Sequence, residues 1–218
     1  MSMVARFVQV TPALLATLIE DPAPVADLFK DQLTTAHRPT WLSTAMQKEG
    51  RRRSPQALAS AMSNLDPRIR DALTERLQRL GVNPAGPPLT GKGPDLSLEK
   101  AWHGIHYLMC GEVEPGADVL SRAVLGGTEI GDDKQGYGPA RYFSTQQVAL
   151  TARELSRASL PAEMNARFDS VRMNSLGIYP GGWDTPDAFD WLLTEFHHLR
   201  DFYAGASTQQ CAIVTCIV

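Results

Sequence analysis

Apolar residues recur along the chain with two periods, and the clearest run lies between residues 96 and 155. Leu98, Trp102, Ile105 and Met109 follow one another at steps of four, three and four, which is one face of a 3.6-residue helix. The spacing predicts a helix from an N-cap at Ser97 to a stop at Gly111. A second helix is predicted directly after a brief strand at Tyr142-Phe143. Ser144 and Gln147 have the spacing of a capping box, and Val148, Ala152 and Leu155 form the buried stripe. Between the two, Gly126, Gly127, Gly131, Gly136 and Gly138 predict loops that run close to other backbone or take positive φ.

The rest of the chain divides on the same grounds. Met3 to Val10 reads as a strand, and Thr11-Pro12 opens a helix carrying Leu14, Leu15, Leu18 and Ile19 that ends at Asp21-Pro22. From Val25 to Gly50 the pattern is mixed, with helical pieces around Leu28, Leu33 and Trp41. Asp66-Pro67 opens a helix with Ile69, Leu73, Leu77 and Leu80 on one face and Gly81 just past its end, and a glycine- and proline-rich loop follows over 82–94. Pro161 starts a helix with Met164 and Phe168, Asp169 caps a turn through Met173, and Ile178-Tyr179-Pro180-Gly181-Gly182-Trp183 makes a sharp aromatic loop. Thr185-Pro186 caps a last helix with Phe189, Leu192, Leu193, Phe196, Leu199 and Tyr203 on its apolar face, ending before Gly205. The segment CAIVTCIV is almost wholly apolar and β-branched, which places it as a strand buried on both faces, central in the sheet beside the first.

Composition narrows the class. With 218 residues, 43% of them apolar, the chain can bury one domain well. A net charge of −3 supplies no basic surplus for a phosphate backbone or an anionic bilayer, so neither nucleic acid nor membrane is expected as a partner. No apolar run approaches a membrane span and MSMVARFVQV lacks the features of a signal peptide, so the expected location is cytoplasmic. Three cysteines, Cys110, Cys211 and Cys216, suit reduced core thiols better than a disulfide framework.

Candidate chemistry is sparse. His103, His106 and Cys110 stack along one side of the first helix, yet structural zinc needs four ligands and nothing nearby supplies the rest, so no metal is expected. His197 and His198 are adjacent helical positions and point about 100° apart. The Arg51-Arg52-Arg53 cluster lacks interleaved aromatics, and Arg141, Arg153 and Arg157 read as a solvated face with an anion site as the competing reading. No G-x-S-x-G elbow, H-E-x-x-H or P-loop is present, Gly136-Tyr137-Gly138 is not a dinucleotide fingerprint, and the acidic pairs Asp132-Asp133 and Glu112/Glu114 read as solvated loops.

The pieces LSLEKAWHGIHYLMCG, LSRAVLGG, GYGPARYFSTQQV and IYPGGW, and a closing helix with FHHLRDFY, occur in this order, and together they resemble the YfbM-like family of small bacterial proteins, a domain of unknown function. The resemblance covers Met1 to about Val10 and most of the chain from Asp95 onward. It implies an α/β fold, with α+β left open: a single domain, a mixed sheet with the N- and C-terminal strands central, helices on both faces, and a helical insertion at about 23–94. It implies no activity, cofactor or catalytic residue.

Two functional readings follow. In the first, a non-enzymatic binding or regulatory module without a cofactor takes a protein or small-molecule partner in a groove framed by the Trp102 helix, the 126–138 loops and the 178–183 loop. At least three of His106, Arg141, Tyr179 and Trp183 are then expected to line one cleft, against the competing expectation that His106 is a paired core histidine. In the second, Trp102-His103-Gly104 and Arg141-Tyr142-Phe143-Ser144 loosely resemble the histidine and tyrosine segments of the ADP-ribosyltransferase superfamily. That likeness implies an NAD-dependent enzyme with His103 on the nicotinamide ribose and Tyr142 stacked on the nicotinamide. It departs from the pattern at Gln209 and Gln210, where a catalytic glutamate is wanted.

Overall fold

The chain forms two compact units, Met1–Lys30 with Leu89–Val218, and Asp31–Pro88. The computed structural model describes residues 3–33, 89–134 and 136–218, and the architecture below is that of the first unit. Trp41, the Arg51-Arg52-Arg53 cluster and the helix expected from Ile69 to Leu80 lie outside the described residues. Val25, Leu28 and Phe29 are core residues of the first unit, so the second is narrower than the insertion expected over 23–94.

Five strands, β1 (Ala5–Val10), β2 (Lys92–Ser97), β3 (Thr128–Lys134), β4 (Pro139–Phe143) and β5 (Ala212–Ile217), make one sheet in the order β2-β1-β5-β4-β3. The two strands expected to be central are so, and they pair from Ala5 against Ile217 to Val10 against Ala212. The expected mixed sheet is antiparallel at every pairing. A long helix returns the chain to the Val10 end of β1, so β5 has to run against it. The expected 126–138 loops are largely a β3–β4 hairpin, in which Gly127, Gly131, Gly136 and Gly138 all take positive φ.

Alternation along the strands divides the apolar residues between two faces. Val8, Val10, Ala212, Val214 and Cys216 pack under α1 (Pro12–Glu20) and α2 (Val25–Leu33). Ala5, Phe7, Phe143 and Ile213 pack under α3 (Trp102–Cys110), α4 (Val119–Leu125), α5 (Thr145–Leu155), α6 (Leu160–Arg167), α7 (Ser170–Ser175) and α8 (Ala188–Thr208). Helices therefore cover both faces, as the family resemblance implied.

Helix starts follow their caps. The Thr11 hydroxyl accepts from the Leu14 amide, and the Ser144–Gln147 box is closed in both directions. Ser97 is not the cap of α3. It ends β2, and its hydroxyl bonds Glu99, whose φ of 46° turns the chain before the helix starts at Trp102. The rest of that reading stands, since Leu98, Trp102, Ile105 and Met109 are buried and Gly111 ends the helix at φ 79°. Helix α8 begins at Ala188, later than Thr185-Pro186 suggested, and continues through Gly205 because Phe202 and Ala206 prolong its buried face. Ile19, placed on the buried face of α1, is 48% exposed.

Candidate functional site

On α3, His103 is fixed by two partners. Its Nε2 lies 3.2 Å from the Val113 carbonyl, and its Nδ1 accepts from the Tyr179 amide at 3.0 Å. A ring that accepts at Nδ1 must carry its proton at Nε2, so the imidazole is neutral and donates to Val113. Burial pushes its pKa below the ordinary histidine value, opposed by the Val113 carbonyl and by Glu114. His106, one turn on, is completely buried, with Nε2 3.7 Å from the Cys110 sulfur. Burial, and then the neighbouring His103, lower its pKa as well. His103 and Cys110 fasten the segment after Gly111 through the Val113 and Glu112 carbonyls, and burial pushes the Cys110 thiol up. The expected pairing of His106 with backbone is incomplete, its Nδ1 being buried with no hydrogen-bond partner among the described residues. Among the described residues no group of three or more His, Cys, Asp or Glu is placed to hold a metal ion.

The aromatic loop is stapled to the core by the residues that give it its character. Trp183 donates from Nε1 to Ile178 at 2.8 Å and packs into the space left by Gly104, where a Cβ would stand 2.7 Å from the indole. Tyr179 stacks on Trp102 at 5.7 Å and its hydroxyl accepts from the Met3 amide. A shallow depression of about 360 Å³ remains between Met3, Trp102, His103 and the Gly177–Gly181 backbone, with Tyr179 on its wall.

A second cavity, of about 260 Å³, opens over the ends of β4 and β5. Its floor is made by Arg141 and Thr215, which are direct cross-strand partners. Val124, Leu125 and Gly126 at the end of α4 form one wall, Glu114 and Pro115 another, and Tyr137 stands at the mouth with its amide bonded to the Ile217 carbonyl. The guanidinium of Arg141 is held at 2.9 Å by the Leu125 carbonyl and at 2.9 Å by Glu129, its partner on β3. The Thr215 hydroxyl has no hydrogen-bond partner among the described residues, although the residue is only 4% exposed.

The expected four-residue cleft is not formed. His106 is sealed in the core and Trp183 is 2% exposed. Arg141 and Tyr179 line different depressions. The groove expected from three segments is divided, since the Trp102 helix meets the 178–183 loop in one depression while the glycine hairpin borders the other. The pair expected to hold NAD is separated by the sheet. His103 stands on α3, whereas Tyr142 packs into the cluster under α1 and α2 on the opposite face. Thr215 and Pro115 went unnoticed in the sequence, whereas Tyr137 was read only as part of a glycine loop and Glu114 as one of a solvated acidic pair. The available signal was Thr215 itself, the one hydroxyl in CAIVTCIV.

A family model described as a domain of unknown function, DUF1877, matches residues 1–216. The chain belongs to the DUF1877 family. A solved structure shares the DUF1877 chain's fold: YfbM from Escherichia coli, described as a protein of unknown function, is 19% identical, with 99% of each chain covered and a TM-score of 0.58. Among curated proteins none matches this DUF1877 chain. No described helix of it is long and apolar enough to cross a membrane.

Proposed function

We propose that the protein is a non-enzymatic binding module whose ligand is a small carboxylate-bearing molecule seated over Arg141 and Thr215. The observation that carries this reading is the cross-strand pair on the cavity floor: a guanidinium already oriented by Leu125 and Glu129 beside a hydroxyl that no described residue engages. A pre-oriented donor loses little freedom on binding, and a charge-assisted hydrogen bond is worth about 1.5–3 kcal/mol. Val124, Leu125 and Tyr137 supply apolar contact for the remainder of the ligand. The lining favours retention over turnover, because among the described residues it includes no histidine, and the Cys216 thiol is turned to the opposite face, where burial pushes it up to about 12.

Isothermal titration with a panel of short monocarboxylates tests the proposal. Saturable one-to-one binding is expected, weakened on the order of 10-fold or more by Arg141→Gln and to a lesser degree by Thr215→Val. Absence of heat from every member of the panel, or binding unchanged in R141Q, refutes it.

A further inference from the structure

One peptide unit of the aromatic loop, the one joining Ile178 to Tyr179, is engaged on both edges. Its N–H donates to Nδ1 of His103, and its carbonyl accepts from the Trp183 indole at 2.8 Å and from the Gly181 amide at 2.9 Å. A peptide plane is rigid, so whatever turns the Tyr179 N–H away from His103 also withdraws the Ile178 carbonyl from Trp183 and Gly181. Of the two bonds His103 makes, only the one to Tyr179 needs a neutral ring. A proton added to the imidazole goes to Nδ1, where it meets the Tyr179 N–H at 3.0 Å, while Nε2 still donates to the Val113 carbonyl.

The ring has little freedom to yield. It stacks on Trp102 with centroids 4.9 Å apart and planes 10° from parallel, and its far edge is held by Val113. Glu114, on the same segment as Val113, attracts the proton, and the 177–183 loop carries no charged side chain. The opposing titratable group is His106 on α3, 6.3 Å away ring to ring. The loop, by contrast, has room. Gly177, Gly181 and Gly182 sit at φ 69°, 82° and 70°, and a Cβ on any of them would meet nothing within 4 Å beyond its chain neighbours. Glycines so placed absorb backbone rotation without a clash.

We infer that His103 is a proton-operated catch on the 178–183 loop. A proton at Nδ1 releases the Ile178–Tyr179 peptide, and with it the Trp183 indole N–H, while the 112–118 segment stays fastened. The loop walls the depression beside Trp102, so the catch governs the shape of that depression and asks nothing of the Arg141 cavity. The closed loop disfavours the proton and the open loop accepts it, so the open form gains as pH falls below the ordinary histidine value of about 6.5.

Proton–nitrogen correlation NMR of the full chain between pH 7 and pH 5 tests the catch. The Tyr179 and Gly181 amides and the Trp183 indole N–H are expected to shift with one midpoint, that of the His103 ring. They are expected to lose about tenfold or more in protection from hydrogen exchange, while the amides of 112–118 hold theirs. In His103→Asn the side-chain oxygen takes the place of Nδ1 and accepts from Tyr179 at every pH, so the loop signals are expected to stay flat. A His103 ring that titrates with the loop signals unmoved overturns the catch, as does one that stays neutral until the whole chain unfolds. Loss of the 112–118 amides at the same midpoint is general unfolding and also overturns it. So does a midpoint that follows the His106 ring, or an equal response in H103N; if H103N does not fold, the titration of the unsubstituted protein decides.

Discussion

Two histidines on α3 are kept neutral by where they sit, and this couples stability to pH with a definite sign. Both pKa values are lowered in the folded state, so the unfolded chain binds more protons as pH falls through the ordinary histidine value of about 6.5. Their contribution is complete above that pH and is lost below it. The urea midpoint is expected to fall from pH 7 to pH 5, with a shallower fall in His106→Leu, and an equal slope in that variant would contradict the assignment. Gly104 has the opposite character, a steric requirement with no charge. A Cβ there would stand 2.7 Å from Trp183 and 2.8 Å from Leu192, both buried. Overpacking costs about 1–3 kcal/mol, more than the roughly 0.5–1 kcal/mol of helix propensity that alanine returns. Gly104→Ala is therefore expected to lower Tm. At Gly205, also inside a helix, the nearest atom is 3.7 Å away, so Gly205→Ala is expected to raise it. Melting both variants side by side checks the pair. Neither glycine announced its role in the sequence, because a close approach is made by residues as distant as Trp183 and Leu192. Arg141 was legible as a candidate cation, but its partners Glu129 and Thr215 are set by strand register, which local spacing does not encode.

At the scale of elements, the parts that were legible are those with a local cause. Thr11-Pro12, the Ser144 box and the Asp169 cap act within three or four residues of themselves, and each begins a helix where expected. Ser144→Ala is expected to cost about 1 kcal/mol, and Tm by a few degrees, through loss of the cap; an unchanged Tm shows that α5 is held by packing alone. β2 and β3 were missed for a common reason. Both are edge strands, and KGPDLS and TEIGDDK carry the proline, glycine and charge that keep an edge from pairing with other chains. That composition erases the alternation by which a strand is recognised. Ser97 was misassigned through the same gap: with no strand before it, a serine ahead of an apolar stripe reads as a cap.

For the molecule as a whole, β5 holds the sheet together. It pairs with β1 on one side and β4 on the other, and supplies Ile213 to one core cluster and Ala212, Val214 and Cys216 to the other. Deleting residues 213–218 leaves β2–β1 and β4–β3 as separate pairs, each with two open edges. Such a truncate is expected to be unfolded or insoluble. A soluble product with a cooperative melting transition would contradict the central role of the strand.

The pairing of Val8 with Val214 also governs how the native state is reached. Helices α3 to α7 and the β3–β4 hairpin close over short stretches of chain and can form in any order, but the middle of the sheet joins segments about as far apart as the chain allows. Closing that loop spends configurational entropy before either core cluster returns contacts, and topologies of this kind fold slowly for their size. Substitutions that weaken β1 or β5 will then slow refolding as well as lower stability, whereas those in the α5 cap will act mainly on the rate of unfolding.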